Sequence, residues 1–201
     1  MLIITVNKQA AYISEEDYLE GEKISEVKHE YVDGNVYAMA GASKNHENIS
    51  GNIFRKFGNH LEDSSCVTYH TDVKVRTPAG NYRYPDCMVV CDEDNEEEYF
   101  SESPVILVEV ISRSSRKTDE QTKRLEYINI PSLKEFVLIE QDYVDVAVFR
   151  KSEGWQPTHY FLGEDVVFES IELSLPVETI YHRVVNQDMT EFLQAKAAKL
   201  K

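Results

Sequence analysis

Two carboxylates stand where a chain seldom leaves such groups alone. Asp86 follows Pro85 at the head of the apolar run "CMVVC", and Glu109 sits between Val108 and Val110 in "PVILVEVIS". Removing even a neutral polar group from water without a partner costs roughly 2–7 kcal/mol, and an ionised carboxylate costs more. Glu109 therefore requires a partner. Pro85 biases Tyr84 towards an extended backbone, which puts Asp86 at a strand mouth. If that strand neighbours the one carrying Glu109, two carboxylates meet at one edge of a sheet. Their oxygens, with a backbone carbonyl and water, suit a hard cation such as Mg²⁺ or Mn²⁺. Such a metal activates water and stabilises charge on a phosphoryl group. The plainer alternative is that each acid pairs with a lysine or arginine.

The surrounding elements must position these groups. "ISEEDYLE" carries a helix-start signal, serine followed by acids. "HEYVDGNVYAMAG" reads as two strands around Asp33-Gly34, a strong hairpin signal. In "GASKNHENISGNIFRKFGNHLED", Ile49, Ile53, Phe54, Phe57 and Leu61 recur at helical spacing, with Ser43 or Asn45 as the cap. "CVTYHTDVKVRTPAGNYRYPDCMVVC" suggests two strands joined by a turn at Pro78-Ala79-Gly80. In the first of these, Asp72, Lys74 and Arg76 share a face. "VILVEVIS" is typical of a strand buried on both faces. "SSRKTDEQTKRLEYINIPS" reads as a helix opened by a Thr118–Gln121 capping box and stopped before Pro131. "EFVLIEQ" is the next strand, so this strand, helix and strand should form a parallel pair. "DYVDVAVFRKSEGWQPTHYF" continues antiparallel, with a hairpin at Glu153-Gly154. The pattern is α/β, a central mixed sheet flanked by helices. It lacks the repeated βα units and glycine-rich loop of a nucleotide-binding fold.

A chain of 201 residues, 42% hydrophobic, fits one domain with a real core, about 13–181, plus a C-terminal helix over 188–201. No apolar run approaches the ~18 residues of a membrane span, and the N-terminus lacks the pattern of a secretory leader. Cys66, Cys87 and Cys91 are odd in number and lack metal-ligand spacing, so they read as reduced thiols of a cytoplasmic protein. The net charge of -15 argues against nucleic acid, since phosphate binding rests on Lys and Arg. The charge is uneven, however. "CDEDNEEEYFSE" is an acidic tract that reads as a solvated loop, whereas Arg113, Arg116, Lys117, Lys123 and Arg124 cluster against Asp119 and Glu120.

Taken together, Pro85-Asp86, Glu109 in its "VEV" strand and the lysine-bearing helix that follows resemble the PD-(D/E)XK nuclease superfamily. More closely, the chain resembles the Uma-type family of restriction-endonuclease-like proteins. The resemblance rests on "KHEYVDGNVYAMAG", "NHENIS", "DVKVRTPAGNYRYPDCMVVC", "PVILVEVISRSSRKTDEQTKRLEYINIPSLKEFVLIEQ" and "VDVAVFR", from about Ile13 to about Tyr181. It implies a restriction-endonuclease-like fold and Mg²⁺-dependent hydrolysis of DNA. Asp86, Glu109 and the carbonyl of Val110 would then hold the metal. One position departs from the pattern: the superfamily wants lysine two residues after the glutamate, and this chain has Ile111. Lys123, which shares a helix face with Tyr127 and Ile130, is the candidate replacement, with Lys74 second. The alternative is a nuclease-fold protein without activity, a DNA-binding or protein-interaction module.

Glu30 and His46 match polar positions of the family. Glu30 could reach a metal or water, or merely pair with Lys28. His46 could contact phosphate or move a proton near neutral pH, or only cap its helix. Arg113, Arg116 and Lys117, with Lys74, are candidate phosphate contacts. Cutting both strands is easiest with two sites, which points to a homodimer.

Overall fold

The computed structural model describes residues 12–91, 97–112, 116 and 118–199. Its elements begin with helix α1 (Glu15–Lys23), the hairpin β1 (His29–Val32) and β2 (Asn35–Ala38), and the long helix α2 (Lys44–Leu61). Strands β3 (Cys66–His70), β4 (Lys74–Arg76), β5 (Tyr82–Arg83), β6 (Cys87–Cys91), β7 (Phe100–Ser101) and β8 (Pro104–Ile111) follow. A π-helical segment (Thr118–Lys123) runs into the short α3 (Arg124–Tyr127). Then come β9 (Glu135–Glu140), β10 (Val146–Arg150), β11 (Pro157–Tyr160), β12 (Asp165–Phe168), β13 (Leu173–Pro176), α4 (Val177–Ile180) and α5 (Gln187–Lys199).

The central sheet is six-stranded and mixed, in the order β11-β10-β9-β8-β6-β3. Strands β8 and β9 are parallel, with the π/α3 helix between them in the chain, as expected for that sequence of elements. Every residue of β8 is buried, because both faces of the strand are covered. Ile106, Val108 and Val110 face a core built on Ile49, Ile53, Phe57 and Leu61 of α2. Those four α2 residues recur every four positions, so one stripe of the helix lies on the sheet. Phe54, off that stripe, is partly exposed and stacks on His70. Leu107 and Ile111 face the opposite layer, with Tyr127, Ile130 and Phe136. Strand alternation places Glu109 on this second face, beneath the π/α3 helix.

A five-stranded sheet, β2-β1-β5-β4-β7, stands beside the first. Tyr18 of α1 closes it through an aromatic cluster with Tyr31, Tyr82 and Phe100. The Asp33-Gly34 turn has positive φ at both residues, 48° and 78°, the geometry of a tight hairpin. Ser14 and Ser43 cap α1 and α2 with their side chains.

Three expectations are corrected. Between Cys66 and Cys91 the chain makes four strands rather than two, and the short β4 and β5 belong to the second sheet. Strands of two or three residues are too short to show a period of their own. The helix before β9 opens as a π-helix, with i→i+5 bonding, and Thr118 and Gln121 form no capping pair among the described residues. The cysteines are not all reduced: Cys66 and Cys91 face one another in the β3–β6 ladder and are joined by a disulfide, while Cys87 is a buried free thiol. The cytoplasmic reading loses the support it took from reduced thiols. Asp92 to Asn95 and Glu96 of the acidic tract, and the last two residues of the expected C-terminal helix, lie outside the described residues. Among the described residues no helix is long and apolar enough to cross a membrane.

The bridge gives a first prediction. Unfolded without reductant, the protein should present one thiol to a titrating reagent, and after reduction three. Reduction should also lower stability by about 3–4 kcal/mol, the chain-entropy value for a loop of this size. Three reactive thiols before reduction would show that the bridge does not form.

Candidate active site

The ladder between β6 and β8 ends at Cys87 opposite Val108. The next residues outward are Asp86 and Glu109, so the two acids meet at the open end of adjacent antiparallel strands. Asp86 takes over where the ladder stops. Its N–H donates to Val108 O at 3.1 Å, and its Oδ2 accepts from the N–H of Val110 at 2.7 Å. The same Oδ2 lies 3.2 Å from His46 Nε2, in the first turn of α2. Ser43 sets that turn by accepting from the His46 N–H.

Glu109 is 3% exposed, and its partners come from the overlying helix. Lys123 Nζ donates to both carboxylate oxygens at 3.1 Å, and Tyr127 donates its hydroxyl to Oε1 at 2.8 Å. The strand glutamate is thus satisfied by an ammonium and a phenol. Lys123 also lies 3.2 Å from Glu30 Oε1 and 3.4 Å from Asp119 Oδ1. Arg83 of β5 ties the second sheet to the helix, donating from Nη1 to Glu30 and from Nε and Nη2 to both oxygens of Glu126.

Glu30, Asp86, Glu109 and Asp119 all line one cleft of about 720 Å³, together with His46, Val110 and Lys123. Four carboxylates around one lysine leave an excess of negative charge. Burial pushes the Glu109 carboxyl well above its ordinary range; Asp119, Asp86 and Glu30 push further, against the pull of Lys123. Burial disfavours the charged form of Lys123, but Glu109, Glu30, Asp119 and Asp86 outweigh it and hold the ammonium firmly charged. Burial also disfavours ionised Glu30, yet Lys123 and Arg83 keep its carboxyl below the usual value. Burial works against protonation of His46 too, and Asp86, by hydrogen bond and charge, lifts it above its usual value nonetheless.

The donor set suits a hard divalent cation. It offers carboxylate oxygens in excess of the cations beside them, and Glu30 Oε1 is buried with the Lys123 ammonium 3.2 Å away as its ion-pair partner. Among the described residues no group of three or more Asp, Glu, His or Cys side chains is arranged to hold a metal ion. A Mg²⁺ ion, which keeps water and substrate oxygens in its shell, would ask for only one or two of these carboxylates.

Of the expected site residues, the structure gathers Asp86, Glu109, Lys123, Glu30, His46 and Val110 at this cleft. Glu30 does not pair with Lys28, which binds Asp72. Lys74 is buried in a different cavity. Arg116, partly exposed, places its guanidinium against both oxygens of Glu140, outside the cleft. Arg113 and Lys117 lie outside the described residues. Ile111 packs in the layer beneath Tyr127, where a lysine would be buried among apolar groups. Asp119, Tyr127 and Arg83 were not foreseen as site residues. Asp119 and Tyr127 flank Lys123 at four residues on either side, a spacing that was visible in the sequence.

Comparison with known proteins agrees with this architecture. Residues 15–178 match the family model described as "Uma2: Putative restriction endonuclease". The "Uncharacterized protein slr1290" of Synechocystis sp. is 35% identical over 84% of this chain and 91% of its own length. The "Uncharacterized protein sll1609" of the same organism is 28% identical over 84% of this chain and 97% of its own. A crystal structure of a "putative nuclease belonging to DUF820" from Anabaena variabilis superposes with a TM-score of 0.68 at 16% identity, over 86% of this chain and 99% of that one. This last likeness is one of fold, the restriction-endonuclease-like α/β fold.

The His46–Asp86 pair gives a second prediction. The folded pKa of His46 is raised above 6.5, so the folded state holds the proton more tightly than the unfolded. Its stabilising contribution is full below about pH 6.5 and is lost as pH rises through the folded pKa. In metal-free protein, the His46 ring should titrate above 6.5 by NMR and fall towards it in Asp86→Asn. The melting temperature lost in His46→Gln should shrink as pH rises. A His46 midpoint unchanged in Asp86→Asn would break the pair's role.

Proposed function

The chain belongs to the Uma2 family, and from that premise we propose that it is a divalent-metal-dependent nuclease that hydrolyses phosphodiester bonds of DNA. The observation that carries the reading is Lys123 on Glu109 beside Asp86. The three groups that such chemistry asks for come together although the strand position two residues after the glutamate is Ile111.

Asp86 and Glu109 would hold Mg²⁺ or Mn²⁺, with the carbonyl of Val110 as the backbone ligand and Glu30 in reach of the same cleft. Once bound, the cation supplies a Lewis acid that polarises water and offsets phosphoryl charge. The chain's own groups do the rest. Val110 N–H and His46 fix the orientation of Asp86. His46 can pass a proton at Nε2 near neutral pH. Lys123, held charged by its carboxylate neighbours, stabilises negative charge that grows on the phosphoryl oxygens. A donor of that kind acts chiefly in the transition state, and its loss costs about 10²–10³ in rate. Two copies of the chain would address the two strands of a duplex, and sedimentation tests that arrangement.

Calorimetry with Mn²⁺ should show binding to the parent and near loss in Asp86→Asn. This variant is preferable to Asp86→Ala because the amide oxygen can still accept from Val110 N–H; an orphaned N–H would cost about 1–3 kcal/mol. Lys123→Met should lower the melting temperature of the metal-free protein, since removing one member of a buried pair costs about 3–5 kcal/mol. Mn²⁺ should restore more stability to this variant than to the parent. With DNA, Lys123→Met should bind but cleave about 10²–10³ times more slowly. No Mn²⁺ binding, or no plasmid cleavage with Mg²⁺ or Mn²⁺, would overturn the reading and favour a nuclease-fold module without activity.

A further inference from the structure

A second cavity, of about 490 Å³, adjoins the cleft, and Tyr84 and Lys28 line both. Its size falls within the roughly 300–1,000 Å³ of small-molecule sites. At its wall lies Lys74, only 4% exposed. Among the described residues no carboxylate comes within the 4.0 Å of an ion pair with it. Its Nζ makes one long hydrogen bond, 3.4 Å to the hydroxyl of Tyr84. That Nζ lies 5.3 Å from the centre of the Tyr84 ring and 5.8 Å from that of Tyr99. Tyr84 in turn donates to Glu22, so its oxygen accepts from Lys74 while its hydrogen goes to the carboxylate. One long hydrogen bond and two ring contacts leave N–H donors of this buried ammonium that a ligand's oxygen could take. Burial accordingly pulls the Lys74 ammonium below its usual range, against the pull of Glu22.

The remaining lining decides the class of ligand. Tyr99, about half exposed, provides aromatic surface, whereas Tyr82, Tyr84 and Phe100 show only their edges from the core. Six acids, Glu15, Glu16, Glu20, Glu22, Asp72 and Glu97, outnumber Lys23, Lys28 and Lys74 around it. The acids disfavour phosphate and carboxylate. Aromatic rings favour a flat partner, and the ammonium wants a carbonyl oxygen. We infer that this cavity is a nucleobase pocket, which takes one keto-bearing base against Tyr99 with Lys74 donating to its carbonyl. The base comes from an unstacked position of the strand held in the neighbouring cleft, a source that rests on the function proposed above, or from a free nucleotide. Stacking on aromatic side chains recovers about 1–3 kcal/mol per base, comparable with the cost of taking a base out of the stack.

The test uses the full chain without metal, so that no strand is cut. Saturation-transfer NMR is recorded with thymidine, cytidine, guanosine and adenosine. The first three, which carry a carbonyl, should give signals stronger than adenosine. Tyr99→Ala, at a half-exposed position, should keep the fold and weaken thymidine binding about tenfold. Lys74→Met keeps the apolar stem and should abolish the preference for keto bases. Absence of signal from every nucleoside, or equal signals in the parent and both variants, would overturn the pocket. Displacement of thymidine by a thymidine oligonucleotide identifies the strand as the source. Displacement by thymidine monophosphate but not by the oligonucleotide upholds the pocket for free nucleotides and removes it from the nuclease reading. Loss of metal binding or cleavage in the separate assays above leaves these nucleoside signals untouched, so the two failures are distinguishable.

Discussion

A carboxylate in the middle of a buried strand must be answered by a cation, and much of this molecule is arranged around that requirement. Glu109 is fixed by the sheet, with Val108 and Val110 on either side facing the opposite layer. The answer comes from above, where Lys123 and Tyr127 descend one helical turn apart on the same face. For them to arrive there, the helix must lie across β8 and β9, and the parallel pairing of those strands provides that path. Arg83 then fixes the helix to the second sheet through Glu126 and Glu30. A local electrostatic need has thereby become a relation between two sheets and a helix. Removing one member of such a network is far more damaging than never having built it.

The same network brings a lysine to Glu109 where the strand itself carries Ile111. The position two residues beyond Glu109 on its strand face lies in an apolar layer, and an ammonium there would have to be buried. A lysine supplied from a helix can approach the carboxylate while its stem lies among the helix's own neighbours. The π-helical segment serves this approach, because Asp119 and Lys123 both point inward from it while α3 carries Tyr127 in register behind them.

Much of this was legible in the chain. The Asp33-Gly34 hairpin, the stripe from Ile49 to Leu61, the doubly buried β8 and the inward face of Lys123 are local patterns with a fixed period. What was not legible depends on register or on distant partners. Cys66 and Cys91 bond because the β3–β6 ladder sets them opposite one another, which spacing alone does not reveal. Lys74 looked like a strand-face cation, but its burial follows from the second sheet, whose strands are too short to read. Arg116 stands in a basic stretch of sequence, but its partner Glu140 is a distant residue of β9.

The buried charges carry one further consequence. Among the described residues, Lys74, Arg83, Lys123 and Arg150 are buried on the basic side, and Glu109, Asp119, Glu135 and Glu140 on the acidic side. These eight cancel, so the formal charge of -15 falls on the exterior and on partly covered side chains. Around such a body the ionic atmosphere is enriched in cations, and divalent ions gain most because attraction scales with valence. Divalent cations are therefore concentrated near its surface by charge alone. A polyanion, by contrast, meets a repulsive field that reaches about 10 Å at 0.1 M salt. Its approach is eased, not hindered, by moderate ionic strength, so counterions become participants in the encounter.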